Sequence, residues 1–313
     1  MTFSELAFNG VATFLKCPYI KEPTRADGDV AVFGVPMDAA TVARCGARHA
    51  PRALREVSTW YAYIGGRGQA SWDGEAQAAV LGGVRFVDAG DVSIPPLTSV
   101  EDYHGAVVEK VRAILAAGLF PLAMGGDHSV TYPLLKGVYE ARDDRPVHLV
   151  QLDAHMDYWD QEVGQTYSHA SPIIRSHEQG FLSGLSQYGI RGLHNESDNI
   201  ELARSRGARI FWCEQAAGTP PDELVAHIEP DSDVYITLDI DALDPAIAPG
   251  TGTPEPGGFT YYEAKAILRA VAARAHVIGM DVVEVAPPYD PTQVTAVHAV
   301  RLMLDVVGAA LAR

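Results

Sequence analysis

The chain has 313 residues, of which 47% are hydrophobic and 20% are charged, a composition typical of a globular protein with a substantial buried core. Its formal net charge of −16 argues against nucleic acids and anionic membranes as partners, because both are bound through basic surfaces. We find no apolar stretch long enough to span a bilayer and no secretory signal in "MTFSELAFNG", and therefore expect a cytoplasmic protein.

Short apolar runs alternate along the chain with longer segments of helical periodicity. We predict eight strands, at 29–36, 85–92, 118–126, 148–155, 186–192, 209–214, 233–241 and 276–285. We predict four helices, at 100–118, 131–142, 261–275 and 295–313. This alternation predicts an α/β fold, and strands that are apolar on both faces indicate a parallel sheet covered by helices. Since no repeat or linker interrupts the pattern, we expect a single domain, 1–313, with 60–84 as a long excursion from the sheet.

Cysteine usage agrees with a cytoplasmic location. Cys17, Cys45 and Cys213 are widely spaced and form no CxxC pair. We expect all three to be reduced thiols, packed as small apolar groups.

Ionisable side chains cluster where four of the predicted strands end. These residues are Asp127 and His128; Asp153, His155 and Asp157; Asp239, Asp241 and Asp244; and Asp281 and Glu284. The carboxyl ends of parallel strands meet at one edge of an open α/β sheet, so we expect the four groups to share one rim. Within "LDAHMD" and "DID" the residues are two apart, a spacing that places side chains on one face of an extended chain.

A divalent metal would explain this concentration of carboxylates. Neighbouring carboxylates cannot all ionise unaided, and none of these strand ends has a lysine or arginine nearby in sequence. Carboxylates with two imidazoles suit an ion such as Mn²⁺, and two ions roughly 3.5–4 Å apart would share a water and lower its pKa. Each feature alone is more simply a solvated turn, a cap or a hydrogen-bonded histidine, but their shared placement favours a metal site.

The segments "GGDHS", "DAHMD" and "DIDALDP" resemble the three signature motifs of the ureohydrolases, the arginase and agmatinase family. The likeness extends from "GVATFLK" near the N-terminus to "MDVVEVAPPYD" near the C-terminus. It implies a three-layer α/β/α fold with a mostly parallel eight-stranded sheet, two Mn²⁺ ions per chain, and hydrolysis of a guanidinium group to urea and an amine. It also implies a homo-trimer or a homo-hexamer.

The same resemblance implies roles for individual residues. It assigns His128 and Asp157 to the first ion, His155 and Asp241 to the second, and Asp153 and Asp239 to both. The bridging Asp153 therefore also counts among the catalytic residues, and Asp244 would support the third motif from its turn.

Two further residues complete the catalytic set that the resemblance implies. Glu284 would face the guanidinium, since a carboxylate pairs bidentately with planar N–H donors. His169, in "YSHASP", would protonate the leaving amine, because imidazole titrates near working pH. The simpler, non-catalytic alternatives are a structural ion pair for Glu284 and an exposed loop position for His169.

Two departures from the family pattern bear on the substrate. The chain has His169-Ala170 where the family usually has His-Gly, and "RCGARHAP" where the family has Arg-Pro-Gly-x-Arg-Phe-Gly-Pro. Both stretches should border the pocket entrance, so they affect substrate identity more than chemistry.

We expect agmatine, cleaved to putrescine and urea, as the first candidate substrate, with guanidinobutyrate, guanidinopropionate or another small guanidine as the alternative. The loop "YWDQEVGQTYSHA" contains Asp160 and Glu162 and no lysine or arginine, so its field favours a cationic substrate tail. Against this, Arg191 and His194 at another strand end would hold a carboxylate if they pointed inward.

Two other classes of protein fit the sequence less well. A non-catalytic subunit that keeps the fold for assembly would be expected to lose ligands, and this chain has all six. A deacetylase of the related fold would use a single zinc ion and would lack the full two-metal set.

Overall fold

An eight-stranded parallel sheet forms the centre of the protein. The structure is a computed structural model, and it describes residue 7 and residues 9–62, 70–95 and 98–311. The sheet strands are β1 Val30–Gly34, β4 Phe86–Asp91, β5 Phe120–Met124, β6 Val147–Leu152, β7 Leu182–Ile190, β8 Arg209–Trp212, β9 Asp233–Asp239 and β10 His276–Val283, and the pair β2 Ser71–Asp73 and β3 Ala78–Val80 forms a separate antiparallel hairpin. The strand order is β4-β1-β5-β10-β9-β6-β7-β8, and every pairing within the large sheet is parallel.

Helices cover both faces of the sheet. They are α1 Ala50–Ser58, α2 Val100–Ala116, α3 Thr131–Ala141, α4 Pro172–Glu178, α5 Ser197–Ser205, α6 Cys213–Ala217, α7 Pro221–Val225, α8 Tyr261–Arg274 and α9 Val294–Leu311. One apolar core joins the sheet to α1, α8 and α9, and a second joins its other face to α2, α3 and α4. Burial on both faces is what a fully parallel sheet requires, and the predicted three-layer α/β/α architecture is confirmed.

The four central strands end at one level. Register pairs Met124 of β5 with Val282 of β10, Val282 with Leu238 of β9, and Leu238 with Leu152 of β6. The residues that follow these four positions therefore emerge side by side at the carboxyl edge of the sheet. This alignment brings the polar groups of four separate segments together.

All eight predicted strands and all four predicted helices are present, and the differences lie in their boundaries and in the short elements. Strand β7 begins at Leu182, four residues before the predicted start, because the segment "LSGL" pairs with the first residues of β6. Five helices of nine residues or fewer were not predicted, since so few turns leave little periodicity to detect. The predicted excursion at 60–84 contains the β2–β3 hairpin, and its residues 63–69 lie outside the described part of the chain.

Two expectations from the sequence need correction. Helix α9 has 18 residues with a mean hydropathy of 1.6, so by length and composition alone it could cross a membrane. Half of it is buried against the rest of the protein, chiefly α1 and α8, as in a core helix. All three cysteines are free, but Cys45 is exposed rather than packed in the core.

Candidate metal centre and catalytic pocket

Two of the acidic motifs fold into the same local turn. Strand β6 stops at Leu152, and the next residue, Asp153, accepts the backbone N–H of His155 on Oδ1 at 2.6 Å. Asp239, the last residue of β9, accepts the backbone N–H of Asp241 in the same way at 2.9 Å. An aspartate that bonds the amide two residues on stabilises a turn. The two-residue spacing therefore results from a turn and not from the extended chain that the sequence suggested.

The first group of predicted ligands converges on one nitrogen. His128 Nδ1 lies 2.8 Å from Asp157 Oδ2, 3.1 Å from Asp153 Oδ2 and 3.3 Å from Asp239 Oδ2. This nitrogen is buried and has no hydrogen-bond partner in the described structure, although three carboxylates surround it. Such convergence without aligned hydrogen bonds is the arrangement of a ligand set around a cation.

The second group shares a carboxylate with the first. His155 Nδ1 lies 3.1 Å from Asp241 Oδ2 and 3.6 Å from Asp153 Oδ1, so Asp153 presents one oxygen to each group. Asp239, which was also predicted to bridge, has Oδ2 near His128, while its Oδ1 accepts the Asp241 amide. The geometry thus supports bridging by Asp153 more directly than bridging by Asp239.

Burial makes these carboxylates costly without a cation. Burial, followed by the charges of Asp241 and Asp153, raises the pKa of Asp239 well above its usual range. Burial and the charge of Asp153 raise the pKa of Asp157 to about 6. For Asp153 burial acts in the same direction, but the neighbouring imidazoles of His128 and His155 hold its pKa below the usual range. A divalent ion would remove the mutual repulsion, so the residues present fit a metal centre.

The glycines of "GGDHS" bring this motif close to the segment after β1. A Cβ added to Gly126 would lie 1.6 Å from the carbonyl oxygen of Met37, which accepts the N–H of Asp127 at 2.7 Å. Asp127 in turn accepts the amides of Ser129 and Ala40 and so caps the turn that carries His128. No side chain larger than hydrogen fits at position 126.

His169 and Glu284 form a buried pair beside the ligands. His169 Nδ1 lies 3.3 Å from Glu284 Oε1, which also accepts the backbone N–H of His128 at 2.9 Å. Burial alone would lower the pKa of His169, but the hydrogen bond to Glu284 and the nearby carboxylate charges raise it to about 9. Glu284 has a φ of +60°, a conformation rare outside glycine and commonest at functional sites. His169 is 8% exposed, which excludes the exposed-loop alternative.

A cavity of about 170 Å³ opens above these groups. It is lined by His155, Asp157, Asp239, His169 and Glu284, together with Val42, Ala43, Trp159, Glu162, Ala170, His194 and Thr253. None of the lining residues in the described part of the chain is a lysine or an arginine. Three of the six predicted ligands, His155, Asp157 and Asp239, and the predicted catalytic pair therefore face one acidic cavity.

The comparisons with known proteins agree with this geometry. The model of the arginase family matches residues 28–308 of the chain. The chain belongs to the arginase family. It is 35% identical over 305 residues to the mitochondrial guanidino acid hydrolase of Homo sapiens, covering 96% of this chain and 83% of that protein. It is 36% identical over 299 residues to the agmatinase of Serratia proteamaculans, covering 94% of this chain and 91% of the other.

A solved structure of the arginase-family fold aligns along nearly the whole chain. The proclavaminate amidino hydrolase from Streptomyces clavuligerus superposes with a TM-score of 0.83 and 30% sequence identity, covering 97% of this chain and 98% of that one. The resemblance noted from the sequence motifs is thereby confirmed at the level of family and fold.

The structure corrects the expectations for Asp160 and Asp244 and decides the alternative that the sequence left open for Arg191. Asp160 is 71% exposed and forms an ion pair with Arg175, so it points away from the cavity that Glu162 lines. Arg191 donates to backbone carbonyl groups, including those of Asp241 and Glu255, and is not directed at a substrate. Asp244 accepts the amide of Ala246 within its own turn and supports that turn, not a ligand.

Sequence reasoning also overlooked two supporting residues. Gln151 donates from Nε2 to Asp153 Oδ2 at 2.6 Å, and the hydroxyl of Thr237 lies 2.9 Å from His128 Nε2. Both are polar residues two positions before the first aspartate of a motif, and each lies between two apolar residues of a strand. A polar residue between apolar residues of a predicted strand could have revealed both, because a buried polar side chain requires a hydrogen-bond partner.

Proposed function

We propose that the chain is a metal-dependent amidinohydrolase that cleaves a guanidinium group into urea and an amine. The observation that carries this proposal is the pair of ligand groups sharing Asp153 beneath a cavity that also holds His169 and Glu284. The names of the relatives, guanidino acid hydrolase, agmatinase and amidino hydrolase, support the same reaction class.

We propose that two Mn²⁺ ions occupy the ligand groups. His128, Asp157 and Asp239 would hold the first and His155 and Asp241 the second. Asp153 would be a ligand of both ions, and Asp239 is proposed as the second shared carboxylate. Oxygen and imidazole ligands suit manganese. Bound there, the two ions would lower the pKa of a shared water and polarise the guanidinium carbon.

The protein's own residues supply orientation and a proton. Glu284, with Oε1 engaged by His128 and His169, would direct Oε2 to two N–H groups of the guanidinium. Hydrolysis joins a water oxygen to the guanidinium carbon and breaks the C–N bond to the amine. His169 would donate the proton that the departing nitrogen requires, since the carboxylate of Glu284 beside its Nδ1 favours the charged imidazole.

Agmatine is the substrate that we propose first. Glu162 lines the cavity, and its Oε2 is buried without a hydrogen-bond partner, 3.6 Å from His169 Nε2. A carboxylate oxygen without a hydrogen-bond partner favours a cationic tail, such as the ammonium of agmatine. The alternative is a guanidino acid, for which the exposed imidazole of His194 would be the cationic partner of the carboxylate.

The test measures urea release with Mn²⁺ and compares kcat/KM for agmatine, 4-guanidinobutyrate, 3-guanidinopropionate and arginine. We expect agmatine to be the best of the four. We expect Glu162→Gln to raise KM for agmatine roughly tenfold, because a charged hydrogen bond contributes about 1.5 kcal/mol or more. Asp160→Asn is the matched control and should leave KM unchanged, since Asp160 pairs with Arg175 at the surface.

Two results would count against the proposal at different levels. Absence of urea from all four substrates by the manganese-loaded protein would refute the reaction class. A guanidino acid as the best substrate, or an unchanged KM in Glu162→Gln, would refute only the role given to Glu162.

For the whole chain we propose one domain, 1–313, that acts in the cytoplasm as a homo-trimer or a homo-hexamer. Closed symmetry is the general expectation for soluble homo-oligomers. Light scattering coupled to gel filtration should give a mass of three or six times 33.6 kDa, and a monomer would contradict this assembly.

A further inference from the structure

We propose that Thr237 and Asp281 are positioning residues that fix the proton of His128 on Nε2 and thereby present a bare Nδ1 to the first metal ion. The inference rests on the metal-binding part of the proposed function. It concerns how the ligand is prepared, and it is independent of which guanidine is the substrate.

The three side chains form one buried chain of hydrogen bonds below the metal centre. His128 Nε2 lies 2.9 Å from Thr237 Oγ1, and Thr237 Oγ1 lies 2.7 Å from Asp281 Oδ1. Thr131 Oγ1 also lies 3.2 Å from the same Asp281 oxygen. All four residues are fully buried, so water does not compete for these contacts.

The direction of the hydrogen bonds follows from the carboxylate at the end of the chain. An ionised carboxylate only accepts hydrogen bonds, so the single hydroxyl proton of Thr237 is donated to Asp281. The oxygen of Thr237 then has only lone pairs to offer His128, and Nε2 must be the nitrogen that carries a proton. In a neutral imidazole the other nitrogen, Nδ1, is consequently the one with a free lone pair.

This assignment matches the environment of Nδ1. It is the ring atom that three carboxylates surround within 3.3 Å and that has no hydrogen-bond partner in the described structure. Fixing the tautomer and the ring plane before the ion arrives reduces the cost of ordering the ligand. Partners of this kind on metal-binding histidines typically contribute 10- to 100-fold to affinity.

The sequence placement supports a specific role for Thr237. It occupies a position on β9, two residues before Asp239, where the neighbouring residues Ile236 and Leu238 are apolar and fully buried. A valine would have nearly the same shape at this position. Thr237→Val therefore removes the hydroxyl with little change in shape, although the hydroxyl of Thr131 and the carboxylate of Asp281 each lose a hydrogen-bond partner.

The experiment measures Mn²⁺ affinity and stoichiometry by equilibrium dialysis with metal analysis, and the rate of metal loss to a chelator. We expect Thr237→Val to bind one of its two ions about 10- to 100-fold more weakly and to release it faster, with the second ion retained. Thr237→Ser keeps the hydroxyl and should restore affinity to within about threefold. Thr131→Val is the matched control, because Thr131 contacts Thr237 and Asp281 but not His128; it should also stay within about threefold.

The outcomes separate this inference from the proposed function. Wild-type affinity for both ions in Thr237→Val, or equal losses in the valine and serine variants, would overturn the positioning role. Equal losses in Thr237→Val and Thr131→Val would reduce the effect to general destabilisation and would also overturn it. A wild type that binds manganese with the expected variant pattern but hydrolyses no guanidine would leave the inference standing and reject the proposed function.

Discussion

At the scale of single residues, both carboxylate oxygens of Asp153 accept hydrogen bonds from the protein itself. Oδ1 accepts the amide of His155, and Oδ2 accepts Gln151 Nε2 while facing His128. Gln187 in turn donates to Gln151 Oε1 at 2.8 Å, which fixes the orientation of the Gln151 amide. Hydrogen bonds that hold a ligand in place reduce the rearrangement needed on metal binding.

Asp153→Asn should therefore reduce bound manganese below one ion per chain and abolish urea release. The asparagine amide keeps only one oxygen, so its NH₂ group would face either Gln151 Nε2 or the backbone N–H of His155, both of which donate to Asp153. Metal analysis after dialysis, alongside the urea assay, measures both effects. Asp244→Asn is the control, since Asp244 supports only its own turn. Full activity with two ions in Asp153→Asn would contradict the bridging role.

His169→Ala should separate catalysis from metal binding. We expect kcat to fall by about 10²- to 10⁴-fold, the usual contribution of a general acid, while metal content stays near two ions per chain. The reason is that His169 contacts Glu284 and Glu162 but belongs to neither ligand group. Loss of manganese in this variant would show that His169 had been misassigned.

At the scale of secondary-structure elements, a single arginine ties two strand ends together. Arg191 follows β7, and its guanidinium donates to Asp241 O at 2.7 Å, to Glu255 O at 2.9 Å and to Pro256 O at 3.2 Å. It thereby holds the segment after β9, which carries Asp241, against the end of β7. The charge that would have held a substrate carboxylate, had Arg191 pointed inward, instead satisfies backbone acceptors.

We expect Arg191→Met to lower the free energy of unfolding by roughly 2–4 kcal/mol, because several partly buried carbonyls lose a charged donor. The second manganese ion should also bind more weakly, since Asp241 is less firmly held. Urea-induced unfolding and metal analysis measure the two effects. Arg52→Met, at an exposed arginine of α1, should change stability by no more than about 0.5 kcal/mol. Equal stability of the two variants would refute the tethering role.

At the scale of the whole molecule, two histidines that do not line the pocket, the partly buried His148 and the buried His104, make folding sensitive to acid. Burial, together with the charge of His227, lowers the pKa of His148 to about 4 from its ordinary value of 6.5. The imidazole hydrogen-bonds Ser186 Oγ at 2.7 Å, and Ser186 also contacts His227. Burial, together with the charge of Lys136, lowers the pKa of His104 to about 4 as well.

Stability should therefore fall as pH drops below 6.5 and stop responding to these groups below about 4. In that window the unfolded histidines bind protons that the folded ones do not, so unfolding is favoured by acid; above 6.5 the contribution is constant. Each histidine should account for on the order of 2 kcal/mol by pH 5.

The measurement compares unfolding free energies of the wild type, His148→Gln and His104→Gln at pH 7 and pH 5. Differences between variant and wild type cancel the contribution of metal release, which is common to all three. Each variant should lose less stability between the two pH values than the wild type does. A wild-type pH response in both variants would contradict the linkage.

Much of the architecture was available from the sequence alone. The eight strands followed from short apolar runs, and the parallel sheet followed from their burial on both faces, because these patterns are local and repeat along the chain. The same holds for the candidate ligands His128, Asp153 and Asp239, since the carboxyl ends of parallel strands share an edge. The resemblance to the family then predicted which metal ion each of these residues would bind.

The tertiary structure decided which acidic and basic side chains face the pocket. Glu162 and Asp160 are two residues apart in one loop, yet only Glu162 lines the cavity, because Asp160 pairs with Arg175 of α4. The guanidinium of Arg191 donates hydrogen bonds to carbonyl groups of a segment some fifty residues later in the chain. Thr237 and Asp281 meet His128 only because β9 and β10 are neighbours near the turn after β5. Such partners depend on long-range pairing, which local sequence patterns do not encode.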